Sequence, residues 1–271
     1  MKPVYIVSWL FALAISFVSC DDWLDKTPKD RLYPDVYFKT EDELRLFTNQ
    51  FYNNLVPSAV DIYSESSDLI VKSDLMLEMS GQRIIPDEGN GWNFTALRDI
   101  NFYLQYSHNC TEVNARNRYD GVARFFRAYF YFEKVKRYGD IPWYDKALDS
   151  DDPELYKARD SREFVMQKML EDLDFAIANL PKTKNAYVLT RWTALALKSR
   201  VCLFEGTFRK YHGLEDYEKY LNACVSASET FMNESGYTLY KSGSTPYRDL
   251  FASINLQADE VIFGRDYEAS L

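Results

Sequence analysis

The sequence predicts a mostly α-helical protein with long irregular loops. Apolar side chains recur every three or four residues in several segments, which is the spacing of one helix face. The later segments form consecutive pairs, about 122–138 with 162–180 and about 191–206 with 216–232. Such antiparallel pairs stack in tetratricopeptide scaffolds, although the strict period and consensus of those repeats are absent. The pairing therefore predicts a tetratricopeptide-like arrangement.

The chain opens with the pattern of a secretory signal peptide. Lys2 is the only charged residue before Asp21, and Val4 to Ser19 are almost all apolar or small. The run is shorter than the ~20 residues that a membrane-spanning helix needs. Residues 1–19 are therefore predicted to form a signal peptide.

Two cleavage positions compete, and they give Cys20 different roles. The Ala-Leu-Ala segment at 12–14 suits an ordinary signal peptidase, which would leave Cys20 as a structural cysteine. Cleavage after Ser19 would instead expose the Cys20 thiol for a diacylglycerol anchor, although Phe17 stands where lipoprotein signals usually have leucine. We expect lipidation, because two or three acyl chains anchor a protein stably at ~0.8 kcal/mol per buried methylene.

The first helix is predicted from a capping box. Thr40 stands at the N-cap and Glu43 at the third helical position, so each side chain can satisfy the other's backbone N–H. One apolar face follows, formed by Leu44, Phe47, Phe51 and Leu55. From Leu55 to Gly91 the periodicity is lost and glycine and proline recur, which is typical of a long binding loop or a disordered segment.

Five further helices are predicted after this loop. Gly139 ends the second of them, since Arg137 lies in its last turn and Pro142 follows. The helix near 162–180 has a regular apolar face, and the one near 191–206 is apolar nearly all round. The predicted ranges are about 92–109, 122–138, 162–180, 191–206 and 216–232.

Several short motifs match one family of bacterial surface proteins. After Cys20 come an acidic pair, an apolar-Leu-Asp step and a proline, at Asp21, Asp22, Trp23, Leu24, Asp25 and Pro28. The densest helix and its turn match at Ala123, Arg124, Phe125, Arg127, Ala128, Tyr131, Phe132, Gly139, Asp140, Ile141 and Pro142. Later matches are Arg159, Ser161, Asp172, Leu173, Ala176, Leu180, Pro181, Tyr247, Leu250, Phe251, Glu260, Ile262 and Phe263. On these residues the chain resembles the SusD/RagB family of glycan-binding lipoproteins of Bacteroidetes.

The resemblance implies a domain organisation. It indicates a signal peptide at 1–19, a lipid anchor and tether at 20–36, and a SusD-like helical domain at 37–271. It covers essentially the whole chain but only about half of a typical member. We therefore expect that the C-terminal half of the fold is absent from this sequence.

The resemblance also implies a function and its partners. Such proteins capture oligosaccharide or polysaccharide at the cell surface without catalysis, and pass it to a SusC-type TonB-dependent transporter. We expect a surface-exposed lipoprotein held on the outer membrane by its lipid. Nucleic acid is not an expected partner, because the formal net charge is −9 and phosphates call for clustered Lys and Arg.

Four residues are the candidates for a glycan site. The family's N-terminal share of the site lies between the first long helices, where this chain has Asp74, Arg83, Trp92 and Asn93. Trp92 follows the glycine-rich Glu-Gly-Asn-Gly segment, so its ring can stand clear of the fold and stack on a sugar. The alternative is that Trp92 packs as the first residue of its helix. Arg83 offers several donors to sugar hydroxyls, or it is a plain surface arginine.

Two other functions stay open. A helical-repeat scaffold would bind another protein and no sugar. A glycoside hydrolase would need an acid/base pair, for which Asp74, Glu78, Asp87 and Glu88 are the candidates. The chain has none of the usual nucleophile-elbow, zinc-protease or phosphate-loop motifs, so an enzyme is not expected.

No metal or other cofactor is expected. The acidic segment 149–154 has carboxylates at alternate positions like a calcium loop, but it lacks the glycine and the final glutamate of one. Beyond Cys20 the three cysteines are Cys110, Cys202 and Cys224, with no metal-binding spacing. We expect buried free thiols, with a bridge between Cys202 and Cys224 as the alternative.

Overall fold

The computed structural model of the chain describes residues 36–57, 77–84 and 91–265. Tertiary contacts divide the chain into Met1–Tyr37 and Phe38–Leu271, and every described helix belongs to the second unit. The predicted anchor residue Cys20 lies outside the described residues, and the predicted domain boundaries stay predictions. None of the helices in the described ranges is long and apolar enough to cross a membrane.

The described part of the second unit is helical, which confirms the predicted fold class. Its regular pairing between strands is limited to one isolated antiparallel bridge, from Ile141 to Asp160. The long helices are α1 (Glu41–Leu55), α2 (Thr95–Tyr106), α3 (Val113–Tyr138), α4 (Arg162–Asn179), α5 (Arg191–Tyr211) and α6 (Tyr217–Glu234). A short helix, α7 (Pro246–Ala252), follows them. One helical turn lies at Leu77–Ser80, and 3-10 turns lie at Ser107–Asn109 and Pro153–Tyr156.

The predicted helix pairs are confirmed, since α3 packs along α4 and α5 packs along α6. Helix α4 buries the predicted face through Val165, Met166, Met169 and Leu173. Removing such side chains from water contributes ~1.5–3 kcal/mol each, so this face holds the first pair together.

The capping box predicted for α1 is also confirmed. Thr40 Oγ1 accepts a hydrogen bond from the Glu43 N–H at 3.3 Å, and Glu43 Oε2 accepts one from the Thr40 N–H at 3.0 Å. The buried Phe51 of this helix meets Tyr103 of α2 and Phe126 of α3 edge-on, with ring centroids 6.2 and 6.1 Å apart. Helix α1 is thereby fixed against both later helices.

The predicted start of α3 is wrong, because the helix begins at Val113 rather than near 122. It continues through Gly121. A Cβ at Gly121 would lie 3.3 Å from Cγ of Leu180. The missing side chain therefore lets the end of α4 approach α3, and the helix tolerates a residue that costs ~1 kcal/mol relative to alanine.

The helical spacing of apolar residues in α6 predicts that Val225 and Met232 face inward, but both side chains are exposed. Val225 and Met232 are 52% and 67% exposed, whereas Tyr220 and Ala227 are buried against α5. Helix α6 packs on α5 along one side, so its second apolar stripe is left uncovered by the described residues.

The three described cysteines are free, and the alternative bridge between Cys202 and Cys224 is not formed. Cys110 and Cys202 are buried as expected, and Cys224 is partly buried. Burial raises the pKa of the Cys202 thiol to about 12. This thiol therefore stays protonated at neutral pH and packs as a small apolar side chain.

Candidate functional site

A cavity of about 600 Å³ lies between the start of α2 and the loop that joins α3 to α4. Cavities of this size accommodate small ligands. Its described lining is aromatic, aliphatic and cationic, namely Trp92, Phe94, Thr95, Leu97, Arg98, Asn101, Pro142, Tyr144, Lys146, Leu148, Leu155, Lys157, Ala158 and Arg159.

Side chains of α2 hold the loop by its backbone. The Asn101 amide donates to the carbonyl oxygens of Tyr144 at 2.8 Å and Lys146 at 3.3 Å. Arg98 Nε donates to the Leu148 carbonyl oxygen at 3.1 Å. These contacts join residues more than 40 positions apart, and they fix the wall of the cavity against the helix.

A buried ion pair holds Asn101 in turn. Arg127 of α3 donates to both carboxylate oxygens of Asp172 in α4, at 2.6 and 2.8 Å. Its third donor reaches Asn101 Oδ1 at 3.2 Å. Both ionised side chains are almost fully buried, at 9% exposure for Arg127 and 2% for Asp172. Two residues that carried the family resemblance therefore meet each other, and they connect α4 to the cavity wall.

Tyr131 holds the loop from the other side. Its ring stacks on Trp143 with centroids 4.2 Å apart, and its hydroxyl oxygen accepts the Tyr144 N–H at 2.7 Å. The same hydroxyl donates to the Pro142 carbonyl oxygen at 3.3 Å. Burial raises the pKa of Tyr131 well above its ordinary value, so the hydroxyl keeps the proton that it donates.

The Gly-Asp-x-Pro turn explains how the loop leaves α3. Gly139 has φ of 71°, a left-handed conformation that suits glycine after a helix. The next residue, Asp140, accepts the Arg162 N–H at 2.8 Å and so satisfies the first turn of α4. Lys157 donates to the Trp143 carbonyl oxygen at 2.6 Å and pairs with Asp160 at 3.0 Å. The loop is thus closed at both ends by specific contacts.

The structure places Trp92 at the edge of this cavity. The ring is 40% exposed. It packs edge-on against Phe94 and Tyr138, with centroids 5.3 and 4.9 Å away. The Arg159 guanidinium lies over the ring, 5.0 Å from its centroid. Trp92 is therefore neither buried in the core nor free of contacts. Two aromatic rings pack against it, and one guanidinium partly covers its face.

The other predicted site residues do not gather around Trp92. Asn93 Oδ1 accepts the Thr95 N–H at 2.8 Å, which satisfies the start of α2. Asn93 lines a different cavity of about 840 Å³, between the end of α1 and α3. Arg83 is exposed and is not among the described residues that line either cavity. Asp74 lies outside the described residues, and the assignment of all four to a glycan site stays a prediction.

Sequence reasoning missed several residues that line the cavity. Phe94 and Tyr144 belong to separate elements, and their rings meet only after the loop folds back, at 5.8 Å between centroids. Arg98, Lys146, Lys157 and Arg159 have no common periodicity. The one signal available was the Gly-Asp-x-Pro turn, which indicates that residues after 142 return towards the helices.

The acidic segment 149–154 serves local ion pairs. Asp152 and Glu154 lie 3.6 and 3.0 Å from Lys146 Nζ. Within the described ranges no group of three His, Cys, Asp or Glu side chains is placed to hold a metal ion. Of the carboxylates considered for a hydrolase, Asp74, Asp87 and Glu88 lie outside the described residues, and Glu78 lies in the turn Leu77–Ser80.

Comparison with known proteins shows which proteins this chain is similar to. A family model described as SusD-like, "Starch-binding associating with outer membrane", matches residues 59–191. A SusD-like protein of Formosa agariphila is 20% identical over 98% of this chain and 52% of its own length. A second one from the same organism is 24% identical over 93% of this chain and 50% of its own. The chain thus spans about half the length of these curated relatives.

Solved structures share the fold. A SusD-like protein from Bacteroides fragilis aligns over 90% of this chain and 48% of its own, with a TM-score of 0.66 and 21% identity. A laminarin-binding SusD-like protein aligns over 63% of this chain and 35% of its own, with a TM-score of 0.51 and 18% identity. At these identities the likeness concerns the helical scaffold.

Proposed function

We propose that this chain belongs to the SusD-like family and that it binds glycans at the cell surface without catalysis. The observation that carries the proposal is the position of Trp92, a 40% exposed ring at the mouth of a cavity of about 600 Å³. One structural neighbour is itself described as a laminarin-binding protein, which supports the ligand class.

The side chains of the cavity suit a sugar. Trp92 offers a partly exposed ring to the C–H side of a pyranose ring, and the buried Tyr144 forms part of the wall. The polar lining supplies hydrogen-bond donors to hydroxyls. Because Asn101 and Tyr131 hold the loop by its backbone, the wall is in place before a ligand arrives. Such preorganisation lowers the entropic cost of binding.

The lining supports a binding role rather than hydrolysis. Glycoside cleavage uses two carboxyl groups on either side of the scissile bond. The described residues that line this cavity include no Asp or Glu. A sugar held against the described lining therefore meets donors and rings, which suit binding.

The cellular setting is part of the same proposal. We infer that Cys20 carries the lipid that holds the protein on the outer membrane, in keeping with the family description. The bound glycan would then pass to a SusC-type TonB-dependent transporter. The delivery step is tested by uptake, since Cys20→Ala should lower import of the cognate oligosaccharide by intact cells while the purified protein still binds it.

The binding step is tested with Trp92→Ala. We expect about a tenfold or greater loss of glycan affinity, since ring stacking is worth ~1–3 kcal/mol by analogy with nucleic-acid bases and 1.4 kcal/mol is tenfold. A glycan array would select the ligand, and calorimetric titration and thermal melting would compare the variant with the parent. The matched control is Tyr211→Ala, which removes an 80% exposed ring that does not line the cavity.

Three outcomes would overturn the proposal. Absence of binding to every glycan on the array would favour a scaffold that binds proteins. Lost stability with unchanged affinity per folded molecule would place Trp92 in the packing of the fold instead of the site. Release of reducing sugar by the parent would indicate a hydrolase.

A further inference from the structure

The cavity beside Trp92 has a charge opposite to that of the protein. The whole chain has a formal net charge of −9. Four of the described lining residues are nevertheless cations, Arg98, Lys146, Lys157 and Arg159, and none of the described lining residues is acidic. A recess lined by one sign of charge concentrates ligands of the other sign.

Three of these cations already have carboxylate partners. Lys146 pairs with Glu154 at 3.0 Å, Lys157 with Asp160 at 3.0 Å, and Arg98 approaches Asp149 at 3.9 Å. These carboxylates do not line the cavity, so they hold the cations in place without occupying the space for a ligand.

Arg159 differs from the other three. Within the described part of the chain no carboxylate lies within ion-pair distance of its guanidinium, whose contact is the face of Trp92 at 5.0 Å. The side chain is exposed, so it can rotate away from the ring without leaving a buried gap. It is therefore a cation at a cavity mouth whose charge is not balanced by any carboxylate of the described residues.

We infer that the cavity selects glycans that carry a carboxylate, such as uronic acids, and that Arg159 is the residue that recognises the charge. The inference rests on the proposed glycan-binding function and narrows its ligand class. Arg159 would leave the Trp92 face as a sugar ring takes its place, and its planar fork would then bind the carboxylate through two parallel hydrogen bonds.

The same geometry disfavours neutral sugars. A neutral ring that stacks on Trp92 must displace the guanidinium and gives it no new anionic partner. An acidic ring replaces the lost contact with a charge-assisted pair, which is roughly twice as strong as a neutral hydrogen bond. Selectivity for acidic glycans therefore arises from the exchange of Arg159 partners.

The probes are matched pairs that differ in one group. Oligogalacturonide would be compared with its full methyl ester, which keeps the sugar backbone and removes the charge. A sulfated oligosaccharide and its desulfated form would show whether any anion suffices. Titrations of the parent, of Arg159→Gln and of the control Arg200→Gln would measure each affinity. Arg200 is an exposed arginine of α5 that does not line the cavity, so its variant makes the same change in net charge elsewhere.

We expect the parent to bind the carboxylated probe about tenfold more tightly than its ester. The preference should fall when NaCl is raised from about 0.05 to 0.5 M, since salt screens an exposed pair. In Arg159→Gln the affinity for the acid should drop about tenfold, while the affinity for the ester rises because the Trp92 face is uncovered. Arg200→Gln should keep the parent's preference.

The inference is overturned if the parent prefers the ester or if Arg159→Gln keeps the preference for the acid. The inference is also overturned if the sulfated and the carboxylated probes gain the same affinity over their uncharged forms, because the cavity would then attract any anion. Failure here leaves the proposed function standing if Trp92→Ala still weakens binding of a neutral glycan about tenfold or more. Absence of binding to all probes and to the whole array contradicts both.

Discussion

Removing the carboxylate of Asp172 should destabilise the fold far more than removing its exposed neighbour Asp174. Asp172 is 2% exposed and receives two hydrogen bonds from Arg127. In Asp172→Ala the Arg127 guanidinium stays buried with Asn101 Oδ1, at 3.2 Å, and the face of Trp143, at 5.2 Å. Neither neighbour carries a charge to balance it.

The magnitude follows from this burial. Breaking a buried ion pair by removing one partner costs ~3–5 kcal/mol, because the other charge is left uncompensated. At ~2–4 °C per kcal/mol for a chain of this size, the melting temperature should fall by about 6–20 °C. Asp174 is 58% exposed and pairs with Lys198, so Asp174→Ala should cost ~0–1 kcal/mol.

Thermal and urea unfolding of both variants would measure the difference. A double variant that replaces Arg127 with Met and Asp172 with Leu should recover much of the loss, since the buried guanidinium is removed with its partner. Arg124, which lies 3.6 Å from Asp172, also loses this carboxylate, but its side chain is 35% exposed and reaches water. Amide exchange near residues 143–148 should also rise in Asp172→Ala, because Asn101 loses its orientation by Arg127. If Asp172→Ala melts within about 2 °C of Asp174→Ala, the pair is not a structural clamp and the reasoning fails.

Three further predictions concern other parts of the chain. Burial raises the pKa of the Asp120 carboxyl, so this group destabilises the fold increasingly as pH rises above its unfolded pKa of about 3.9. Asp120→Asn should therefore raise the melting temperature at pH 7 and flatten the fall of the melting temperature from pH 4 to 7. A lower melting temperature of the variant at pH 7 would contradict this. A Cβ at Gly206 would lie 2.7 Å from Leu221 Cδ2, so Gly206→Ala should cost ~1–3 kcal/mol in urea unfolding, and an unchanged midpoint would show that α6 can shift. Cys20→Ala should abolish palmitate labelling and release the protein from membranes, whereas labelling at the parent's level would disprove lipidation.

Local signals in the sequence predicted the helices well. The capping box at Thr40 and Glu43 and the apolar face of α4 are present as expected, because both depend on residues three or four positions apart. The start of α3 was predicted too late, because the helix begins at Val113 and continues through Gly121, where the missing side chain lets Leu180 approach closely. Tertiary packing of this kind has no local signature.

The cavity could not be predicted in the same way. It depends on contacts between distant residues, such as Asn101 with Tyr144 and Arg98 with Leu148. Besides the Gly-Asp-x-Pro turn, Arg127 and Asp172 place charged side chains among the buried residues of their helices, and the two bind each other. Trp92 was found because of family resemblance and neighbouring glycines, whereas Arg159 above it was not.

The backbone clamps of the cavity wall have a consequence for how binding preference can change during evolution. Helix side chains grip the loop by its peptide groups at 144, 146 and 148, so these contacts do not depend on which side chains the loop carries. Lys146 and Leu148 line the cavity, and they accept these hydrogen bonds through their backbone carbonyl oxygens and not through their side chains. Mutations at these two positions can therefore alter what is bound while the scaffold keeps its shape, so new preferences can be acquired one substitution at a time.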